Sequence, residues 1–329
     1  MPENEIIWFV LFNAFIVVML ALDLGVFNRK AHAISVKEAT VWSVVWVTLS
    51  LCFNVVVYFM YENHWFGIGT SEHLRLTGDE AALQFFTGYL IEKALSVDNI
   101  FVFIVIFSYF GVPAKYQHKI LFWGVLGALI MRSIFIAAGS ALIYRFEWIL
   151  YVFGAILVVS GWRMMFQQET EVHPEKNVFI RLAKKFFPVT TGYEPPTFFR
   201  RIGGKLHITP MLLVLITVET TDVVFAVDSI PAVFAVTRDP FLVYSSNVFA
   251  ILGLRALYFL LAGVMTSFHY LKYGLSIVLI FVGVKMLIAD YVHVPISISL
   301  VTIGTILGVS VMASLVRTKR QRHDTSTHR

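Results

Sequence analysis

Long apolar stretches separated by short polar connections dominate the chain. Runs of roughly 17–25 residues, the length a helix needs to cross a bilayer, fall near residues 6–27, 40–60, 82–110, 119–143 and 148–166. Four more fall near 209–236, 246–268, 273–290 and 295–316. This pattern predicts an all-α polytopic membrane protein of about nine transmembrane helices in a single transmembrane domain, 1–329. The first run does not read as a cleavable signal, because Met1 to Glu5 carries no base and the run exceeds an h-region. Residues 167–208 are the one long connection. Within them, Lys176 to Phe187 mixes Phe179, Ile180, Leu182 and Phe186 with Arg181, Lys184 and Lys185, a pattern that predicts an interfacial amphipathic helix. The basic tail 317–329 is expected to be disordered.

Composition strengthens the membrane reading. Of the 329 residues, 58% are hydrophobic and 14% are charged, where soluble proteins carry about 25% charge. A mean hydropathy of +0.76 agrees. A soluble domain of this length could not bury so much apolar surface around one core. The single cysteine, Cys52, allows no disulfide framework and no thiolate cage. The net charge of +5 does not mark a nucleic-acid binder, because the bases sit in loops and the tail. With the N-terminus outside, inward loops and tail hold 18 Lys and Arg, seven of them in 167–208, while the outward loops hold Arg75, Arg145 and Arg238. The positive-inside rule then gives an N-out, C-in chain.

Two of the runs carry related acidic strings. The third reads Y-L-I-E-K-A-L-S-V-D-N-I-F-V-F and the sixth T-V-E-T-T-D-V-V-F-A-V-D-S-I-P, so Glu92 and Asp98 are spaced as Asp222 and Asp228. Each is followed by a run bearing an arginine, Arg132 or Arg255, and then by a run ending in glycine, one residue and a base: Gly161-Trp162-Arg163 or Gly283-Val284-Lys285. Spans three to five (about 82–166) therefore match spans six to eight (about 209–290). Because each unit has three spans, the copies are inverted, as in secondary transporters whose ion site lies at the repeat interface.

Six carboxylates fall within the runs: Asp23, Glu92, Asp98, Glu219, Asp222 and Asp228. At about 2.5–3.5 kcal/mol each on insertion scales, six uncompensated charges would cost about 15–20 kcal/mol, beyond the stability of an ordinary domain. They must be paired, protonated, hydrated or bound to cations. Lys93, Arg132 and Arg255 can neutralise some, and packing with counter-charge is the reading for both arginines. On a straight helix Glu92, Ser96 and Asn99 share a face while Asp98 points about 240° away. A helix break would let the acids converge, and Pro231 frees the Val227 carbonyl in the sixth run. Oxygen-only ligands with no mid-span histidine suit Mg²⁺, Ca²⁺ or Mn²⁺ rather than Zn²⁺ or Cu⁺. Ion pairs that merely lock the helices are the alternative.

The strings E-K-A-L-S-V-D-N-I-F-V-F and V-E-T-T-D-V-V-F-A-V-D-S-I-P-A-V-F-A-V-T-R-D-P-F, with L-A-L-D-L at Asp23, resemble the TerC family of integral membrane proteins, closest to its Alx-like bacterial members. The resemblance implies a bacterial inner-membrane protein of a family named for tellurium resistance and linked to manganese export and to metal supply for exported enzymes. Its motif residues fall on Glu92, Asp98, Asn99, Glu219, Asp222, Asp228, Ser229 and Asp23. The expected function is a secondary exporter of Mn²⁺ with protons as a candidate counter-ion, since metal binding to carboxylates releases protons. No tightly bound cofactor is expected; the partners are the transported metal, the bilayer and candidate protein partners. The alternatives are a membrane partner supplying metal to exported proteins, or a tellurium-resistance component without transport of its own. Strings for aspartyl or rhomboid proteolysis and a Walker A loop are absent, so an enzyme is not expected.

Overall fold

The computed structural model describes residues 3–22, 34–69, 75–166, 175, 177–193, 196–262, 270–292 and 294–327. The helices are α1 (Glu3–Leu22), α2 (Val36–Glu62), α3 (Gly78–Tyr109), α4 (Ala114–Arg145), α5 (Ile149–Phe166), α6 (Val178–Phe186), α7 (Pro210–Phe234), α8 (Pro240–Leu252), α9 (Leu254–Ala262), α10 (Leu271–Leu287) and α11 (Ile296–Thr327). The protein is mostly helical, and among the described residues six segments are long and apolar enough to cross a membrane: Val36–Glu62, Ala114–Arg145, Ile149–Phe166, Pro210–Phe234, Pro240–Ala262 and Ile296–Thr318. Of the remaining apolar runs, α3 has the length but carries Glu92, Lys93 and Asp98 in its middle, and α10 has 17 residues.

Four local outcomes differ from the sequence reading. Pro231 does not break the sixth run: α7 continues through it to Phe234. The proline sits in the last turn, where one forfeited ladder bond matters little and the Ala235 N–H still reaches the Pro231 carbonyl. The break lies instead in the seventh run, at Gly253 between α8 and α9. That run also begins earlier than its hydropathy suggests. Asp239 caps α8 by accepting from the Phe241 and Leu242 amides, with Pro240 in the first turn. Tyr244, Ser245, Ser246 and Asn247 dilute the run, yet they are buried in protein. Third, the tail is not irregular: α11 stays helical to Thr327, because no Gly or Pro follows Val316 and Lys, Arg and Gln sustain a helix. Fourth, the long connection holds α6, as expected, and also an antiparallel hairpin of β1 (Phe199–Ile202) and β2 (Lys205–Ile208). Gly203 and Gly204 both take positive φ at its turn, which suits a two-residue hairpin.

Helix packing brings α3 against α8, α4 against α7, and α5 against α10. The α5–α10 contact is close because glycines face backbone across it. A Cβ at Gly161 would lie 2.7 Å from the Ser276 carbonyl oxygen and 2.8 Å from Ile280 Cγ1. One at Gly283 would lie 2.7 Å from the Gly154 carbonyl oxygen and 2.9 Å from Val158 Cγ2. The shift along the chain that turns Gly161 into Gly283 also turns Gly154 into Ser276 and Val158 into Ile280. The two contacts are images of each other. Small residues that let backbones approach are a standard way to hold helices together in lipid.

Candidate functional site

Four helices meet around Arg132 of α4. Its Nη1 pairs with Glu92 Oε1 of α3 and donates to Ser229 Oγ of α7 at 3.2 Å and to Asn247 Oδ1 of α8 at 3.1 Å. Its Nη2 reaches Asp222 Oδ1 of α7 at 3.5 Å. All five residues are buried, Glu92 and Asn247 completely. Asn247 also donates from Nδ2 to the Val243 carbonyl at 2.9 Å, which fixes its amide with the oxygen toward the guanidinium. The cluster is not saturated. Glu92 Oε2 and Asp222 Oδ2 are buried without a hydrogen-bond partner among the described residues. With both acids ionised, two negative charges face one guanidinium, which leaves one negative charge in excess.

Helical phase explains which expected ligands join this cluster. On unbroken α3, Glu92, Ser96 and Asn99 lie on one face and all three are buried. Asp98 is off that face, half-buried, with Lys272 of α10 as its charged neighbour. α7 repeats the arrangement. Asp222 and Ser229 are seven residues apart on the buried face, while Asp228 is off it and accepts from Ser160 Oγ of α5 at 2.6 Å. Glu219 is half-buried, within electrostatic reach of Asp222, and its carboxyl packs against Gly127 of α4 with no room for a Cβ there. It also lines a cavity of about 470 Å³ together with Phe179, Leu182 and Phe186 of α6 and Leu215 and Ile216 of α7.

The expected ligands therefore occupy distinct places. Glu92, Asp222 and Ser229 share Arg132, whereas Asp98, Asp228 and Glu219 make contacts elsewhere. Asp23 lies outside the described residues. Among the described residues no three His, Cys, Asp or Glu side chains converge as a metal cage. The helices α3 and α7 run unbroken where a break was expected, which keeps the second acid of each string on a separate face. Arg255 is buried on α9. Sequence reasoning missed Asn247, whose signal was a polar quartet, Tyr244 to Asn247, inside an apolar run. It also missed what Lys93 does. Lys93 Nζ donates to the Ala250 carbonyl in the last turn of α8 at 3.3 Å, a favourable place for a cation at a helix C-terminus.

The comparisons with known proteins agree with this architecture. The model of the integral membrane protein TerC family matches residues 77–322, which contain every described residue of the cluster. A Myxococcus xanthus protein called uncharacterized membrane protein STKORF319 is 50% identical over 308 residues, covering 94% of this chain and 92% of its own length. The putative membrane-bound redox modulator Alx of Escherichia coli K12 is 49% identical over 315 residues, 95% of each chain. A Rickettsia bellii membrane protein is 38% identical over 308 residues, 94% of this chain and 97% of its own. No solved structure matches. The buried acidic strings of α3 and α7, the family match over three-quarters of the chain and relatives at half identity over nearly all of it lead to one conclusion: the chain belongs to the TerC family of integral membrane proteins.

Proposed function

We propose that this protein is a secondary transporter that exports a divalent metal cation, Mn²⁺ foremost, from the cytoplasm across the bacterial inner membrane, with protons as counter-ion. The observation that carries the reading is the buried oxygen set at Glu92, Asp222, Ser229 and Asn247, which has two carboxylate oxygens without a hydrogen-bond partner among the described residues and, with both acids ionised, one negative charge in excess of Arg132. Hard oxygen donors favour Mg²⁺, Ca²⁺ or Mn²⁺, and the resemblance to a family linked to manganese export selects Mn²⁺ among them. The name redox modulator carried by relatives has no intrachain dithiol to rest on here, since Cys52 is the chain's one cysteine.

The proposed frame has nine spans, N-out and C-in, with α3–α5 and α7–α10 as inverted copies. Three pairings support the inversion: the image contacts of Gly161 and Gly283, the packing of α3 on α8 as α4 packs on α7, and the second acids. Asp98 of the first copy faces α10, while Asp228 of the second faces α5. In this frame Asp98 lies about 9 Å from Glu92 toward the cytoplasm, at about 1.5 Å per residue. Asp228 lies about 9 Å from Asp222 toward the outside. Acids would then flank the central cluster on both sides, stepping a cation across much of a hydrocarbon layer about 30 Å thick. Inside-out vesicles carrying the protein should accumulate Mn²⁺ against a proton gradient, with Mg²⁺ and Ca²⁺ as competitors. Accumulation equal to that of empty vesicles would end the transport reading and leave a metal-supplying partner role.

A further inference from the structure

We infer that Arg132 is a tethered substitute for the transported cation: it occupies the central oxygen set in the empty carrier and must leave for metal to bind. The inference rests on the transport reading and deepens it. The guanidinium takes one oxygen from each of Glu92, Asp222, Ser229 and Asn247. These four oxygens come from three helices and would otherwise be ligands for a hard cation. Two positive groups cannot share that oxygen set in a buried, low-dielectric site, so metal and guanidinium compete. The remaining oxygens, Glu92 Oε2 and Asp222 Oδ2, are buried and have no hydrogen-bond partner among the described residues. The arginine therefore fills the charge requirement only in part, as a displaceable occupant should. A purely structural ion pair would gain from saturating every oxygen. Arginine suits the role because its charge is permanent and its side chain is long and flexible. An empty carrier must cross its occluded state without metal, and bare carboxylates would oppose that step. The tethered charge neutralises one of the two acids, and a counter-ion proton neutralises the other.

The test separates net efflux from exchange in proteoliposomes loaded with radioactive Mn²⁺. Wild-type protein should release label both into metal-free buffer and into buffer containing unlabelled Mn²⁺. In Arg132→Gln the empty carrier loses its substitute cation, so the ratio of net efflux to exchange should fall at least tenfold. Arg132→Lys, which keeps a tethered charge, should recover part of that ratio. An unchanged ratio in Arg132→Gln, in protein that still exchanges, would overturn the inference while leaving transport intact. Absence of both fluxes in wild type would remove the transport reading and this inference together. If neither variant folds, the wild type decides through isotope-edited infrared difference spectra with guanidino-labelled arginine. Adding Mn²⁺ should shift a label-sensitive guanidinium band, and a spectrum without any such band overturns the inference.

Discussion

Replacing Gly283 with alanine tests the α5–α10 contact. The new Cβ would sit 2.7 Å from the Gly154 carbonyl oxygen and 2.9 Å from Leu157 Cβ, and neither of these atoms belongs to a flexible side-chain end. Ordinary carbon–oxygen contacts lie at about 3.3–3.6 Å, so the two helices must separate by about 0.6–0.9 Å or accept strain. Overpacking of this kind costs about 1–3 kcal/mol, and the helix-propensity gain of Gly to Ala returns at most about 1 kcal/mol. A net loss of about 1–2 kcal/mol follows, read as a lowering of Tm by about 2–6 °C. Gly308 supplies the control, since a Cβ there meets nothing within 4 Å. Gly308→Ala should be neutral or raise Tm slightly. Gly161→Ala should match Gly283→Ala, because its contacts are the image of those at Gly283. The assay is thermal unfolding in detergent followed by tryptophan fluorescence at matched protein amounts. Equal Tm for Gly283→Ala and Gly308→Ala would refute the packing argument. Unequal losses at Gly161 and Gly283 would refute the repeat.

Arg132→Leu should cost about 3–5 kcal/mol by leaving buried carboxylates unpaired, seen as lost folded protein in size-exclusion profiles; adding Glu92→Gln and Asp222→Asn should restore much of it, and no restoration would contradict the charge argument. Asn177 both caps α6, accepting from the Phe179 and Ile180 amides, and donates to Thr220 Oγ1 of α7 at 2.7 Å. Asn177→Ala should loosen α6 by about 1 kcal/mol and speed limited proteolysis between residues 175 and 209; an unchanged cleavage rate counts against the cap. Asp239→Ala removes the α8 cap and the acceptor for Tyr61 Oη at 2.8 Å, so its Tm should fall further than that of Tyr61→Phe, and the reverse order would contradict the cap. Lys184→Cys in a Cys52→Ala background should react with an impermeant maleimide only from the cytoplasmic side; reaction from outside would invert the topology.

How much of this was legible in the sequence depends on which physical signal carried it. Apolar length located the long helices, because a helix that crosses lipid must be apolar over its whole span, whereas α6 was legible only from its mix of apolar and basic residues. Helical phase correctly set Glu92, Ser96 and Asn99 together and Asp98 apart. It failed only through the added assumption that Pro231 breaks α7, when a proline in a final turn disturbs little. Asn247 and the early start of α8 were hidden because hydropathy cannot tell a helix buried in protein from one facing water. The pairing of Arg132 with Glu92 and Asp222, and Lys93 with the end of α8, depends on packing between distant segments, and no local pattern encodes it. The hairpin was visible as Gly203-Gly204 between short mixed strands, but it sat inside a connection read for its charge and for one amphipathic helix.

The central claim, that these buried acids carry a metal cation, is tested most directly by Mn²⁺ efflux from proteoliposomes holding equal, quantified amounts of wild-type, Asp98→Asn and Asp228→Asn protein. Each substitution keeps the size and hydrogen bonding of the side chain and removes its charge, at positions outside the Arg132 cluster. The account predicts efflux by wild type and its loss in both variants while the folded fraction stays constant. Wild-type rates in both Asn variants would contradict it and leave the acids as partners that only hold the helices together.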